Sequence, residues 1–336
     1  MKGAVLRGVR DVRVEEIPEP VIEPGSIIVD VKACGICGSD LHPYKLGHRQ
    51  GIVCGHEFSG QVRVVGQGVE GVKEGDRVVA VGYRPCGQCY WCKQGLVQRC
   101  TSLQLLGEQF HGAMAPRVLV PNAVLNRNVF RLPDNLSYEQ GALVEPISVA
   151  AFSVRRAKVA PQNAAAVIGL GIIGLGVVQV LKAFGVSKVI ASGRRESRLR
   201  AAGESGADLV IDAASADAVQ AVKDATGGFG VETVFECAGS PETFHQAADM
   251  ARGGGKVILV GVYEQPVTWD PNLAIIRNLT FVGILGGHFP TSIDLLASGK
   301  INTKPLITHA FPVEKAKEAF ETQMTDPTAV KVLITP

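Results

Sequence analysis

Two different hydrophobic rhythms divide the chain. Up to about residue 148, short apolar runs are separated by Gly and Pro, as in IIVDVKACG, SGQVRVVGQG, DRVVAVG and APRVLVP. Runs of this length with turn residues at this spacing predict short strands in a compact, β-rich, barrel-like module. The N-terminal stretch MKGAVLRGVRDVRVEE alternates apolar and charged residues and reads as a strand. From about Asn163 the rhythm changes. Strand-like runs AAVIGLG, KVIASG, ADLVID, ETVFECAG, GKVILVG and LTFVGIL alternate with helical stretches such as IIGLGVVQVLKAFG and ESRLRAAGESG. That alternation predicts βαβ units, hence an α/β fold with a doubly wound parallel six-stranded sheet over 149–286. Beyond Gly287 the pattern is mixed, with helices expected near 291–298 and 313–324 and a closing strand, KVLITP. This tail, 287–336, is expected to return to residues 1–148 and complete the first domain.

Composition changes this picture mainly by exclusion. The 336 residues suffice for two domains, and 46% hydrophobic with 20% charged residues is ordinary for a folded globular chain. Net charge is +2 with no basic block, so neither nucleic acid nor an acidic membrane surface is an expected partner. The N-terminus has no apolar segment of the secretory type, and no window approaches 18 uninterrupted apolar residues. A cytoplasmic protein is expected.

Cysteine usage adds chemistry. Of eight cysteines, seven fall between Cys34 and Cys100, and Cys237 stands alone. Such clustering in a long chain without a leader points to metal rather than to disulfides. Cys86, Cys89, Cys92 and Cys100 supply four thiolates in a loop that also carries Pro85, Gly87 and Gly95. Four sulfurs complete the tetrahedron of Zn²⁺ and leave no open position, the mark of a structural site. The rivals are an iron–sulfur cluster and a nucleic-acid-binding zinc ribbon. Nothing else in the sequence suggests electron transfer, and the loop offers only Arg84, Lys93 and Arg99 as a basic face. A loop without secondary structure of its own, rigidified by zinc, is expected.

Between the first strand and first helix of the βαβ series stands a G-x-G-x-x-G, made of Gly169, Gly171 and Gly174 with Ile172 and Ile173 inside it. In that context the glycines permit a tight turn and bring a pyrophosphate to the backbone N–H groups at the helix N-terminus. At the end of the second strand, where a carboxylate would bind the ribose 2′-hydroxyl of NAD(H), the sequence is Ser192-Gly193-Arg194-Arg195. Guanidinium groups suit a 2′-phosphate, so NADP(H) is expected over NAD(H). Cys237, ending the fourth strand, is expected to line the cleft near the coenzyme.

The segment Gly35-Ile36-Cys37-Gly38-Ser39-Asp40-Leu41-His42, followed by Gly55-His56-Glu57, resembles the zinc signature of the medium-chain alcohol dehydrogenase family. The four-cysteine loop, Val144-Glu145-Pro146-Ile147-Ser148 and the glycine motif lie along the chain as in that family. Glu145-Pro146 with Cys-Gly-Ser-Asp is most similar to the branch of sorbitol, threonine and butanediol dehydrogenases. The resemblance covers essentially the whole chain and implies a GroES-like catalytic domain beside a Rossmann domain, with one catalytic and one structural Zn²⁺ per chain. It implies Cys37 and His56 as ligands of the catalytic zinc. Glu57 and Glu145 share the third place, one coordinating directly while the other approaches the metal. By the same resemblance Asp40 orients the His56 imidazole. Ser39, the coenzyme ribose and His42 relay a proton while hydride passes between an alcohol or ketone substrate and the nicotinamide. A homodimer or homotetramer is implied as well.

Cys34 and Cys54 match no ligand position and read as buried structural thiols. His288 is a weaker candidate for the substrate pocket. The stretch PYKLGHRQGIVCG, residues 43–55, is shorter than the family's usual segment, so the substrate pocket need not copy that of any one relative. Beside the polyol or secondary-alcohol dehydrogenase stand two alternatives: a threonine-type hydroxy-amino-acid dehydrogenase, and a catalytically silent NADPH-binding protein on the same fold.

Overall fold

A computed structural model describes residues 1–336. The chain divides into two compact units, Met1–Glu145 with Ile307–Pro336, and Pro146–Leu306. No helix is long and apolar enough to cross a membrane.

The first unit is built on a seven-stranded sheet. Its order runs Ile307–Pro312, Lys331–Thr335, Ile27–Gly35, Glu57–Val65, Arg77–Ala80 and Val129–Arg131, with Arg117–Val120 also paired to Ile27–Gly35. The register at the end of Ile27–Gly35 matters most. Gly35 faces Glu57 across one ladder and Leu333 across the other. Side chains alternate along a strand, so Lys331 and Leu333 share a face of the closing strand. Apolar residues of these strands, including Ile27, Val29, Val31, Val62, Val78 and Val332, form one buried cluster with Phe320 and Ala319 of the helix Ala316–Thr325.

The N-terminal stretch is a correction to the sequence reading. It is not one strand but an antiparallel hairpin, Lys2–Gly8 against Asp11–Glu16, turned through Val9 and Arg10 with Arg10 at φ 52°. The central turn residues Val9-Arg10 are not the usual Gly or Asn, and the only signals of reversal, Gly8 and Asp11 on either side, are lost when the stretch is read as one run.

The second unit carries the six expected strands, all parallel. From edge to edge they are Leu209–Asp212, Lys188–Gly193, Ala164–Ile168, Val231–Glu236, Ala251–Leu259 and Thr280–Gly283. In chain order this is 3-2-1-4-5-6, the doubly wound dinucleotide-binding order, with its switch point between Ala164–Ile168 and Val231–Glu236.

Residues 287–306 belong to this unit, whereas the sequence pattern assigned them to the first. Their anchors explain it. The His288 N–H donates to the Ser148 carbonyl at 3.0 Å. Asn302 and Gln179 exchange two hydrogen bonds, of 2.6 and 3.0 Å. The helix Phe289–Ala297 buries Phe289, Leu295 and Leu296. The change of rhythm at 287 marks the end of the parallel series, not the boundary between units.

Candidate metal centres and coenzyme site

Cys37 caps the helix Gly38–Leu46. Asp40 closes a capping box there, its Oδ2 accepting from the Cys37 N–H at 2.9 Å, while Oδ1 accepts from the Gly55 N–H at 3.2 Å. One buried carboxylate thus ties the turn carrying Cys37 to the residue before His56. The His56 Nδ1 lies 4.0 Å from Asp40 Oδ1, a charge contact longer than a hydrogen bond. Asp40 therefore positions the two ligand-bearing segments through backbone N–H groups more than it grips the imidazole. Burial holds its carboxyl above the usual range, against the opposing pull of His56 and the Cys37 N–H.

The thiol of Cys37, a ring nitrogen of His56 and a carboxylate oxygen of Glu57 lie within 4.8 Å of one another. A sulfur, a nitrogen and an oxygen donor, from a helix cap, a loop and a strand start, form a three-ligand set, one short of a tetrahedron. That donor chemistry fits catalytic zinc. Burial would lower the basicity of His56, but the charge and hydrogen bond of Cys37, then Asp40 and Glu145, raise it well above the ordinary value.

Glu145, in the first turn of Val144–Ala157, is outside this mutual set yet close enough for its charge to act on His56. Burial first, then the Glu57 charge, pushes its carboxyl up to about 7 against the pull of His56. Of the two glutamates expected to share the third place, the structure brings Glu57 into the donor set and leaves Glu145 at its margin. Glu57 also accepts from a residue that sequence reasoning missed: Lys331 Nζ, at 2.5 Å.

Ser39 and His42 lie three residues apart on the helix Gly38–Leu46, Ser39 half-buried and His42 exposed, so they share one face. Arg49 donates to the Ser39 carbonyl at 3.1 Å and pairs with Glu108 at 3.0 Å, pinning the short 43–55 segment to this helix. Cys34 and Cys54 are buried, and burial holds both thiols well above their ordinary range, as befits unreactive core residues.

The sulfurs of Cys86, Cys89, Cys92 and Cys100 form a second cluster within 4.8 Å. Their loop is not without structure, as the sequence suggested: it holds a helical turn, Tyr90–Lys93, and a 3₁₀ turn, Val97–Arg99. Backbone N–H groups of the loop donate to sulfur, from Cys86 to Cys100 at 3.2 Å and from Cys89 to Cys86 at 3.4 Å. The Cys92 and Thr101 N–H groups push the Cys89 thiol down to about 6, whereas burial pushes Cys92 up to about 12. Four sulfurs gathered in one loop, with backbone N–H groups donating to them, suit a closed Cys₄ zinc site.

In the second unit the glycine motif has the expected geometry. Gly169 has φ 89°, and a Cβ there would lie 2.7 Å from the Ala238 nitrogen. A Cβ on Gly174 would strike the Gly169 carbonyl, while Gly171, the cap of the helix Ile172–Ala183, faces open space. The N–H groups of Ile172, Ile173 and Gly174 are those a helix cannot satisfy internally. Gly169 donates to the Ser192 carbonyl and Cys237 to the Ile168 carbonyl, which sets the buried Ser192 and half-buried Cys237 on either side of the motif. Burial holds the Cys237 thiol well above its ordinary range.

Arg194 and Arg195 are exposed at the end of Lys188–Gly193, Arg194 with a loose 3.9 Å contact to Glu242. Asp212, level with Gly193 on the next strand, turns its oxygens to the Ala214 N–H and the Ser215 hydroxyl. Arg198, three residues beyond Arg195, was overlooked in the sequence: burial, then the charge of Arg195, pushes it down to about 10. Its i,i+3 and i,i+4 spacing from Arg195 and Arg194 was the available signal. Glu236 was also overlooked. Fully buried, it accepts from the Ala238 and Gly239 N–H groups, Thr243 Oγ1 and the Tyr263 hydroxyl, and so fixes the loops after the fourth and fifth strands. His288 is a helix cap, its Nδ1 accepting from the Thr291 N–H at 3.2 Å.

Residues 23–134 match the family described as alcohol dehydrogenase GroES-like domain, and residues 173–298 match zinc-binding dehydrogenase. The (R,R)-butanediol dehydrogenase of Bacillus subtilis is 36% identical over 100% of both chains. The chain belongs to the zinc-dependent medium-chain alcohol dehydrogenase family. Other members of the family are as near: the sorbitol dehydrogenase of B. subtilis is 34% identical, over 96% of this chain and 93% of that one. The L-threonine 3-dehydrogenase of Pyrococcus furiosus is 36% identical over 91% and 89%. A crystal structure of 2R,3R-butanediol dehydrogenase from B. subtilis superposes with a TM-score of 0.89, covering 100% of this chain and 99% of that one.

Proposed function

We propose that the chain is a zinc-dependent oxidoreductase that passes hydride between a polyol, diol or other secondary alcohol and NADP(H). The convergence of Cys37, His56 and Glu57 donor atoms within 4.8 Å carries the reading. Zinc held by these three residues would supply the Lewis acid that polarises the substrate oxygen. The chain's own residues do the rest. Asp40 fixes both ligand-bearing segments. Glu145 supplies a half-buried carboxyl whose charge acts on His56. Ser39 would accept the substrate proton, and His42, exposed three residues further along the same helix, would pass it on to solvent. Ketone reduction runs the same path in reverse.

Three guanidinium groups, Arg194, Arg195 and Arg198, with no carboxylate at the strand end, support NADP(H) over NAD(H). The names of the sorbitol and butanediol relatives support a hydroxyl-rich substrate; that of the threonine relative keeps a hydroxy-amino acid within the test. The eight free thiols fit a reducing compartment, and we place the enzyme in the cytoplasm as a homo-oligomer.

The test is reduction of NADP⁺ and NAD⁺ across polyols, diols, secondary alcohols and L-threonine. We expect turnover on polyols or diols and a higher kcat/KM with NADP⁺. Arg194→Asp should cost about 10–100-fold in kcat/KM for NADP⁺, the loss of one charged hydrogen-bond partner. Preference unchanged by Arg194→Asp would defeat the coenzyme assignment. A metal-loaded chain inert toward every substrate would favour the silent alternative.

A further inference from the structure

Lys331 opens the apolar closing strand, where a lysine ordinarily turns to solvent, yet it is 1% exposed. Its Nζ donates to Glu57 Oε2 at 2.5 Å and to the Ile36 carbonyl at 2.8 Å. Burying an ammonium is costly even when it is paired, and an apolar pair of similar volume commonly serves a core as well or better. Packing alone therefore does not account for it.

The surroundings are shaped to the pair. Gly35 stands opposite Glu57 in the ladder, and a Cβ on it would lie 2.3 Å from Glu57 Oε2 and 3.2 Å from Lys331 Cδ. The missing side chain is the space that the carboxylate and the lysine stem fill. Ile36, whose carbonyl takes the second Lys331 hydrogen bond, immediately precedes Cys37. One ammonium thus touches the glutamate of the donor set and the backbone that leads into its thiol.

We propose that Lys331 is a positioning residue for the metal centre: by holding Glu57 Oε2 it presents the other carboxylate oxygen, alone, to a metal at Cys37 and His56. The inference rests on the zinc reading of that cluster. A catalytic site must keep an open position. A carboxylate with both oxygens available can close that position by clamping the ion or swing away from it, and a hydrogen-bonded partner restricts both motions. The Lys331 charge also offsets repulsion among the acidic groups gathered around the donor set.

The experiment loads the full-length chain with cobalt(II) and compares wild type, Lys331→Met and Gly35→Ala. In Gly35→Ala the closest clash is with the end of a flexible side chain, so the strand keeps its course while Oε2 is pushed from the ammonium. It carries the test alone should Lys331→Met not fold. For the Cys37–His56–Glu57 site we expect a changed visible cobalt band and about 10–100-fold weaker affinity by chelator competition. Cobalt at the four cysteines should be unaffected. Unchanged band and affinity, with only a lower Tm, would reduce Lys331 to a packing role and overturn the proposal. Wild-type chain that takes metal at the four cysteines and none at this cluster would sink the zinc reading, and the proposal with it.

Discussion

The two sets of metal donors in the first unit are built in opposite ways. Cys86, Cys89, Cys92 and Cys100 come from one short loop whose own backbone N–H groups donate to the sulfurs. Cys37, His56 and Glu57 come from a helix cap, a loop and a strand, and the lysine that holds Glu57 lies 274 residues away in sequence. The local set is saturated with like donors and suits a permanent brace. The distant set mixes sulfur, nitrogen and oxygen, stops at three, and depends on the sheet register for its geometry. A closed site can be folded from its own loop; an open one needs a scaffold to keep its ligands from collapsing together.

The comparison breaks most sharply at His56. His56→Ala should lower alcohol oxidation by about 10³-fold or more, the scale of several kcal/mol of charge stabilisation, with the four-cysteine metal retained. Initial rates and metal content per chain check it. Cys100→Ser should do the reverse. Losing the brace should lower the Tm while the folded fraction keeps its turnover. Differential scanning calorimetry beside active-site titration separates the two effects.

A finer cut sets the two glutamates apart. Because only Glu57 joins the mutual donor set, Glu57→Gln should weaken metal binding at this site about 10–100-fold more than Glu145→Gln does. Equal losses would mean that the two share the ion equally.

The smallest effect tests the scaffold. Glu321, on the helix before the closing strand, accepts from the Tyr44 hydroxyl at 2.6 Å and pairs with Arg10, tying down the helix that carries Ser39 and Asp40. The Arg10 hydrogen bond first, then that of Tyr44, holds the Glu321 carboxyl below its ordinary value, against burial. A depressed folded value means the stabilisation is present above the ordinary carboxylate range and is lost as pH falls through the folded value. The Tm gap between wild type and Glu321→Gln should therefore be largest near neutrality and close below about pH 4. The four-cysteine site should not respond.

The same contrast explains what the sequence revealed. The Cys₄ set and the glycine motif are local, so spacing alone declared them. Cys37 and His56 needed the family signature, and the choice between Glu57 and Glu145 needed distances. Lys331 was hidden because a lysine heading an apolar run reads as solvent-facing; only the register that sets Gly35 between Glu57 and Leu333 turns it inward. The parallel sheet was plain from its alternating rhythm. The N-terminal hairpin and the allegiance of 287–306 were not, the first because its turn centres on Val9-Arg10 rather than on Gly or Asn, the second because hydrogen bonds to Ser148 and Gln179 decide it.

The most direct test follows metal and activity together during slow chelation of the zinc-loaded chain. Two phases of zinc release are expected, with activity falling in step with the faster one and the Tm falling only with the slower. Activity that survives the first phase and disappears with the second, or release from a single class of site, would contradict that expectation.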